Sequence, residues 1–360
     1  MRSRRVGTAT LIAAAAAIAL SACSTGKAGG DTAASAPSNV PTSVNSTAGP
    51  TGTPAGESNA VQFQSAQPGS GKGLTLGYIT LDDAVPFSKL VTNSVEQQAK
   101  QAGAKLIYCD SKGDGATALA CARNFKVQGV QGYLNFQSDA KSADAICAAG
   151  PKGPVIAIDI QQGSCQTSFM GANNEFAGEL AGKALGDYMK QHFNCKYDAY
   201  VSMEEPDAGQ VNTERMGGYR KGFQSVCGAI HNMKVENAFR IDQARTTFTD
   251  VLTTLPGAHH IVVAAINDDA IEGALAAAKT AGRTNDLYVS GQGADPSSWC
   301  GIKSDKQWVG DTAYFPERYG QIGIPYLIKA VKGETVPTML LVPHEIINSS
   351  NIDSIYHPSC

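Results

Sequence analysis

Several signatures of chemistry are missing from this 360-residue chain. There is no Gly-x-Ser-x-Gly turn for a serine nucleophile, and no Cys-x-x-Cys pair for structural zinc. His344-Glu345 begins a zinc-hydrolase motif, but Asn348 stands where the second histidine belongs. Gly71-Lys72 resembles the end of a phosphate loop and fails twice. The glycine required five residues earlier is Ala66, and Gly73 follows the lysine. Gly291-Gln292-Gly293 lacks the rest of a dinucleotide fingerprint. His259 and His260 are neighbours that face opposite ways on a strand. Charge is scarce as well, at 17% of residues with a net charge of -3. No basic field exists to draw nucleic acid or an acidic membrane. No catalytic residue, metal or cofactor is therefore expected, and no nucleic-acid partner.

Long apolar runs are also lacking. The longest near the start, residues 11–20, is shorter than the ~20 residues a membrane-spanning helix needs. What is present there is the order of a secretory signal: Arg2, Arg4 and Arg5, the apolar run, then Leu20-Ser21-Ala22-Cys23. Those last four residues resemble a bacterial lipobox, whose cysteine is diacylated and becomes the mature N-terminus. Two acyl chains meet the requirement for stable anchoring. The alternative is an ordinary cleaved signal with a chance cysteine. Residues 1–23 are thus expected to be a lipoprotein signal peptide. Cys23 would hold the protein on the outer face of a bacterial cell membrane. Residues 24–72 are rich in Ser, Thr, Gly, Ala and Pro. Such a stretch buries too little to offset its ordering entropy and is expected to be a disordered tether.

Of nine cysteines, eight remain once Cys23 is set aside: Cys109, Cys121, Cys147, Cys165, Cys195, Cys227, Cys300 and Cys360. An even number in an exported protein suggests disulfides, although sequence alone leaves many pairings open. Pairing neighbours keeps loops short and each bridge inside one lobe. That gives 109–121, 147–165, 195–227 and 300–360.

From Leu74 onward strand-like runs alternate with helical stretches. Leu90, Val91, Val95, Ala99 and Ala102 share one helical face, and Gly103 is placed to stop that helix. Apolar runs follow at 106–108, 130–134, 155–158 and 168–172. A second set comes at 199–203, 235–239, 261–266 and 287–290. Residues 308–314 form one more strand, 317–331 a helix, and the tail from Thr338 is mostly extended. Alternation of this kind argues parallel sheets with helices on both faces, and two such sets argue two lobes of similar design.

Several phrases in order carry a resemblance: Pro86-Phe87; Val155-Ile156-Ala157-Ile158-Asp159; Gly171-Ala172-Asn173-Asn174; the segment from Arg215-Met216-Gly217-Gly218-Tyr219 to Gly222-Phe223; and Ala265-Ile266-Asn267-Asp268-Asp269-Ala270. Over about residues 74–345 the chain resembles the periplasmic sugar-binding proteins of the ribose- and galactose-binding type. These are the binding components of ABC importers. The resemblance implies an α/β fold of two Rossmann-like lobes with parallel sheets, joined by a three-segment hinge (periplasmic binding protein type I). It implies crossings near Asn173, Phe315 and Pro337. The lobes would be 73–173 with 316–337, and 174–315 with 338–360. Transcription repressors share this core, but they carry a DNA-binding unit where this chain has a signal and tether. The expected partners are a small sugar or polyol, an ABC permease and the membrane, with the protein a monomer. A receptor of the same fold sensing an amino acid or nucleoside is the alternative, and a lipid-anchored hydrolase a more distant one.

In open α/β sheets ligands sit beyond the carboxyl ends of the strands. That rule selects Asp82, Asp83, Phe87, Asn135, Asp159, Met203, Glu204, Asn267, Asp268 and Gln292; the resemblance adds Thr213 and Tyr314. A polyhydroxylated ligand calls for carboxylate acceptors, amides that donate and accept, and a flat apolar face. Asp159 can accept two hydroxyls or cap a helix. Asn267 has the same two options, and Phe87 can stack on a sugar ring or pack in the core. The resemblance also shows departures. Thr213 and Ile160 stand where the ribose type has arginines, Gln292 where it has aspartate, Tyr314 where it has glutamine, and Ser88 where it has a second aromatic. These weaken a claim for ribose itself and suit a more neutral pocket.

Overall fold

The computed structural model describes residues 60–137 and 140–360. The segments expected to be a signal peptide with Cys23 and most of the expected tether lie outside these residues.

The first strand, β1 (Thr75–Thr80), is buried beyond its first residue and leads through a polar loop to α1 (Pro86–Ala102). Pro86 stands at the first helical position, where its fixed φ and missing N–H cost nothing. The five apolar residues read as one face are all buried. Gly103 ends the helix in the left-handed conformation with φ 71°. The chain continues through β2 (Lys105–Asp110), α2 (Gly115–Val127), β3 (Gly132–Asn135), α3 (Ala143–Ala149), β4 (Val155–Ile158) and β5 (Gln166–Gly171). A second series follows: α4 (Asn174–Phe193), β6 (Ala199–Glu204), α5 (Gln210–Cys227), β7 (Met233–Asn237), α6 (Ile241–Thr254), β8 (Ile261–Ala265), α7 (Asp268–Thr280), β9 (Leu287–Gly293), α8 (Trp299–Ser304) and β10 (Trp308–Ala313). The last elements are α9 (Gly320–Val331), β11 (Met339–Leu341), β12 (Glu345–Ile347) and α10 (Ile352–Ile355).

These strands form two six-stranded sheets, ordered β11-β5-β4-β3-β1-β2 and β12-β10-β9-β8-β6-β7. Every pairing is parallel except β10 with β12. Central strands such as β3, β4, β6, β8 and β9 are buried along their whole length, as sheets covered on both faces require. Helix α9 returns to the first sheet, where Ile322, Ile324 and Leu327 pack with Val91, Val95 and Leu134. The two-lobe α/β architecture expected from the alternation is present.

Two expectations are corrected. The third crossing does not lie near Pro337. Strand β11 pairs with β5 as far as Leu341, and Leu340 buries in the first lobe's core, so the chain passes over only after Leu341. The tether also ends earlier than residue 72. Val61 donates its N–H to the Leu341 carbonyl at 2.8 Å, and Ala66 is buried with its N–H on Gln98 Oε1 at 2.7 Å. Phe63 packs edge-on to Phe315, and the Arg318 guanidinium lies 4.2 Å over its ring. Val61, Phe63 and Ala66 pack against the first lobe's core.

All four expected disulfides are formed, joining Cys109–Cys121, Cys147–Cys165, Cys195–Cys227 and Cys300–Cys360. The last ties the tail to α8, where Tyr356 stacks on Trp299 with ring centroids 4.5 Å apart.

Helices α4 and α5 meet unusually closely, through glycines four apart on each. A Cβ on Gly178 would collide with the Arg215 carbonyl, and one on Gly222 with the Glu179 carbonyl. This contact fixes the height of Arg215 above the sheet. Gly178→Ala should therefore destabilise the protein by about 1–3 kcal/mol, the usual cost of overpacking. A lowered denaturant midpoint checks it, and an unchanged midpoint shows that the helices can part freely.

Candidate functional site

Three segments pass between the sheets: residues 172–173 after β5, 314–315 after β10, and 342–344 between β11 and β12. One buried side chain touches all three. His344 Nε2 accepts the Asn173 N–H at 3.1 Å, which leaves Nδ1 to donate to the Ala313 carbonyl at 3.2 Å. The ring is therefore neutral. Burial lowers its pKa to about 3, and Arg215 nearby works in the same direction.

The crossings bring the carboxyl ends of β4, β9 and β10 toward one another. Asp159 follows β4 with φ 57°, a left-handed conformation that aspartate tolerates better than most residues. Its N–H bonds to the Met170 carbonyl at 2.9 Å, and Tyr319 donates its hydroxyl to Oδ1 at 3.4 Å. A Cβ on Gly171 would come within 2.6 Å of that same oxygen, so glycine makes room for the carboxyl. Burial raises the Asp159 pKa to about 7. The Arg215 charge and the hydrogen bonds from Tyr319 and the Ala172 backbone oppose it without cancelling it.

Arg215 is the cation of this region. Its Nε and Nη2 donate to Asn174 Oδ1 at 3.1 and 2.9 Å, and Nη1 donates to the Ile266 carbonyl at 2.9 Å. Its guanidinium lies 5.0 Å over the Tyr314 ring. Tyr314 in turn donates to Gln292 Oε1. Gln292 is buried, and its Nε2 has no hydrogen-bond partner among the described residues. Phe87 closes the group from the first lobe. It is edge-on to Tyr319 at 5.8 Å and packs with Ala172, Ala177 and Tyr314.

Phe87, Asp159, Gln292 and Tyr314 therefore belong to one continuous set, linked through Tyr319 and Arg215. Asn267 stands beside it, next to the carbonyl that Arg215 holds. Its Oδ1 caps α7 by accepting the Ala270 N–H at 3.0 Å, and the cap leaves its amide nitrogen unused. Asn135, at the end of β3, is buried in an amide cluster. Its Nδ2 and Gln137 Nε2 both donate to Gln162 Oε1, at 2.8 and 2.9 Å, while Asn135 Oδ1 has no partner among the described residues.

Other candidates lie in other environments. Asp83 pairs with Lys89 at 2.9 Å and accepts from Thr92 at 2.7 Å. Burial disfavours its charge, but hydrogen bonds from Thr92, Lys89 and Tyr108 hold its pKa below the usual value. Asp82 accepts the Ala84 N–H at 2.9 Å in the loop after β1. Thr213 is exposed, and its hydroxyl bonds back to the Gly209 carbonyl at 3.2 Å. Glu204 is occupied by Ser202, Asn212 and Arg220, the last at 2.7 Å. Met203 is core. Asp268 lies beneath the turn that carries Gln292.

Sequence reasoning missed Arg215, Tyr319 and His344 as members of this region. Arg215 and Asn174 stood inside quoted phrases, so their spacing was visible while their convergence was not. Tyr319 carried no signal beyond following a crossing.

Three comparisons bear on the fold. A family profile described as periplasmic binding protein domain matches residues 76–335. The ribose import binding protein RbsB of Salmonella typhimurium is 29% identical over 256 residues, covering 70% of this chain and 82% of that one. An ABC transporter solute binding protein from Mycobacterium smegmatis, solved with bound glycerol, superposes with a TM-score of 0.66 at 24% identity, covering 78% of this chain and 96% of that one. Another from Actinobacillus succinogenes, solved with bound D-allose, gives 0.68 at 17% identity, covering 78% and 99%.

The raised Asp159 pKa has a signed consequence. An unfolded aspartate titrates near ~4, so the folded state holds this proton more tightly. The stabilisation is complete below about 4 and is lost as pH rises through about 7. Asp159→Asn should flatten this part of the stability profile, measured by thermal melting from pH 4 to 8. An identical slope in variant and wild type would show that Asp159 does not titrate there.

Proposed function

The chain belongs to the periplasmic binding protein family, and from that premise we propose that it captures a small neutral sugar or polyol between its lobes. One observation carries this reading. Two buried amides at the carboxyl ends of central strands, one in each sheet, each keep one atom without a partner among the described residues: the Asn135 oxygen in the first and the Gln292 nitrogen in the second. An unpaired buried polar atom costs about 1–3 kcal/mol. A hydroxyl both donates and accepts, so one polyol can satisfy both. Asp159 adds a carboxylate acceptor, and Phe87 an apolar edge for C–H surface. The names and bound molecules of the similar proteins, ribose, glycerol and D-allose, fall in the same chemical class.

Capture would work by closure. Contacts divided between lobes favour the closed state only to the extent that the ligand prefers it. His344 joins the crossings without crossing the cleft itself, so the lobes can rotate about it. The protein acts as a monomer, without cofactor and without turnover, and passes its ligand to an ABC permease. Outside the cell membrane it would be retained by lipid on Cys23. Asp83 and Thr213, held by other partners, would touch the ligand only through a rearrangement on closure; Asp82 would meet it from the loop.

A thermal-shift screen of the purified protein tests the ligand class, because a ligand bound to the native state raises Tm by mass action. D-Allose, D-ribose, glycerol and related polyols should give the shifts. Hits confined to amino acids or nucleosides would overturn the carbohydrate reading. Asp159→Ala should weaken the best hit about ten- to a hundredfold, as loss of a charged hydrogen bond predicts; unaltered affinity would remove Asp159 from the site.

The anchor has its own test. Cys23→Ser should move the protein from the membrane to the soluble fraction of expressing cells and abolish incorporation of labelled palmitate. Retention of the label would place the lipid elsewhere.

A further inference from the structure

Asp268 and Asp311 are both fully buried beneath the turn that carries Gln292, and Asp268 Oδ1 and Asp311 Oδ2 crowd the same space over Gly291, each within 2.9 Å of where a Cβ there would stand. Two carboxylate anions side by side there would repel, with no hydrogen between them to share. A single proton held between them removes the conflict.

The surrounding donors show which of the two carries it. Both oxygens of Asp311 already accept: Oδ1 takes the Ala294 N–H at 2.9 Å, and Oδ2 takes the Trp308 indole N–H at 3.2 Å. Asp268 Oδ2 takes the Asp295 N–H at 2.6 Å. Asp268 Oδ1 alone receives no N–H, and it is buried. A hydroxyl on that atom, pointing at Asp311, satisfies the whole arrangement. Space is available because the contact lies over Gly291. A Cβ there would collide with Asp311 Oδ2 and stand 2.9 Å from Asp268 Oδ1.

We infer that Asp268 is a neutral carboxylic acid donating to the Asp311 carboxylate, and that this pair positions the turn bearing Gln292. Both backbone N–H groups that follow the turn, of Ala294 and Asp295, end on the pair. Ala294 is itself in the left-handed region at φ 51°, a conformation that needs such support. The consequence for binding rests on the proposed cleft; the pair itself does not.

The environment keeps the proton in place. Glu272 on α7 adds negative charge around the pair, and burial raises the Asp295 carboxyl in the adjoining loop as well, with Asp268, Asp269 and Glu272 acting in the same direction. The phenols of Tyr219, Tyr314 and Tyr356 also face the pair and are held neutral by burial. Arg215 opposes the upward shift at Asp295, and Arg240 does so at Asp269. Burial raises both carboxyls, and the charge on Asp311 raises Asp268 further. The unfolded chain gives up these protons near ~4. Stability from the pair is therefore complete below that pH and declines as pH rises through the pair's folded values.

Two conservative variants of the full chain, studied without any ligand, separate the proposal from its rivals. In Asp268→Asn, the amide oxygen can take the Asp295 N–H while Nδ2 donates to Asp311. Hydrogen exchange of the Ala294 and Asp295 amides should then match wild type at pH 7. In Asp311→Asn, Nδ2 must face either the Ala294 N–H or the Trp308 N–H, donor against donor, and protection should fall at least tenfold. With the aspartate carboxyl carbons labelled, 13C NMR at pH 7.5 should show a protonated resonance that Asp268→Asn removes. Equal or reversed effects of the two variants on protection would overturn the assignment, as would survival of every protonated resonance in Asp268→Asn. Failure of all sugars in the thermal-shift screen would remove the role in binding and leave the pair intact.

Discussion

The three chain crossings depend on one buried imidazole. A residue whose ring spans two backbone groups can be neutral, rigid and fully satisfied only if its tautomer is fixed, and His344 is fixed by what it accepts from Asn173. The bonds to Asn173 and Ala313 make the ends of β5 and β10 neighbours, with β11 leading directly into the same residue. Each crossing sits at a strand's carboxyl end or between two edge strands. The polar loops of both sheets are thereby gathered on one side. Without that convergence, Asp159 and Arg215 would belong to unrelated surfaces.

The two sheets contribute different electrostatics. The first offers amides and one carboxyl whose charge is discouraged by burial: Asn135, Gln137, Gln162 and Asp159. The second offers a guanidinium anchored by Asn174 and a main-chain carbonyl, above a floor of buried acids. Charged groups buried without full partners are costly. Here burial raises the acids, which favours their neutral forms, and Arg215 directs three of its N–H groups to acceptors. The region is polar without a strong net field, which suits a neutral hydroxylated molecule better than an ion.

Much of this was legible before any coordinates. The period of apolar residues placed α1 and Gly103 marked its end, and the alternation of runs gave two parallel sheets. Neighbour pairing gave all four disulfides, because short loops within one lobe are what the fold permits. Errors came where a few residues outweighed composition. Val61, Phe63 and Ala66 were lost in a stretch of Ser, Gly and Pro, yet three apolar contacts are enough to order a short segment against a finished core. The third crossing was misplaced at Pro337 because the three-residue β11 is too short to have a period, and its pairing with β5 is a fact of the sheet.

The sequence by itself determined the repeating elements, the helix caps, the cysteine pairs and the residues that end each strand, since all of these follow from local spacing and side-chain chemistry. Tertiary structure decided which strand ends meet. Arg215 and Tyr314 lie about a hundred residues apart, and Asp159 and Tyr319 farther still. Their contacts arise only when the glycine-lined approach of α4 to α5 and the three crossings bring them together. No pattern within a window of the chain encodes a distance across it.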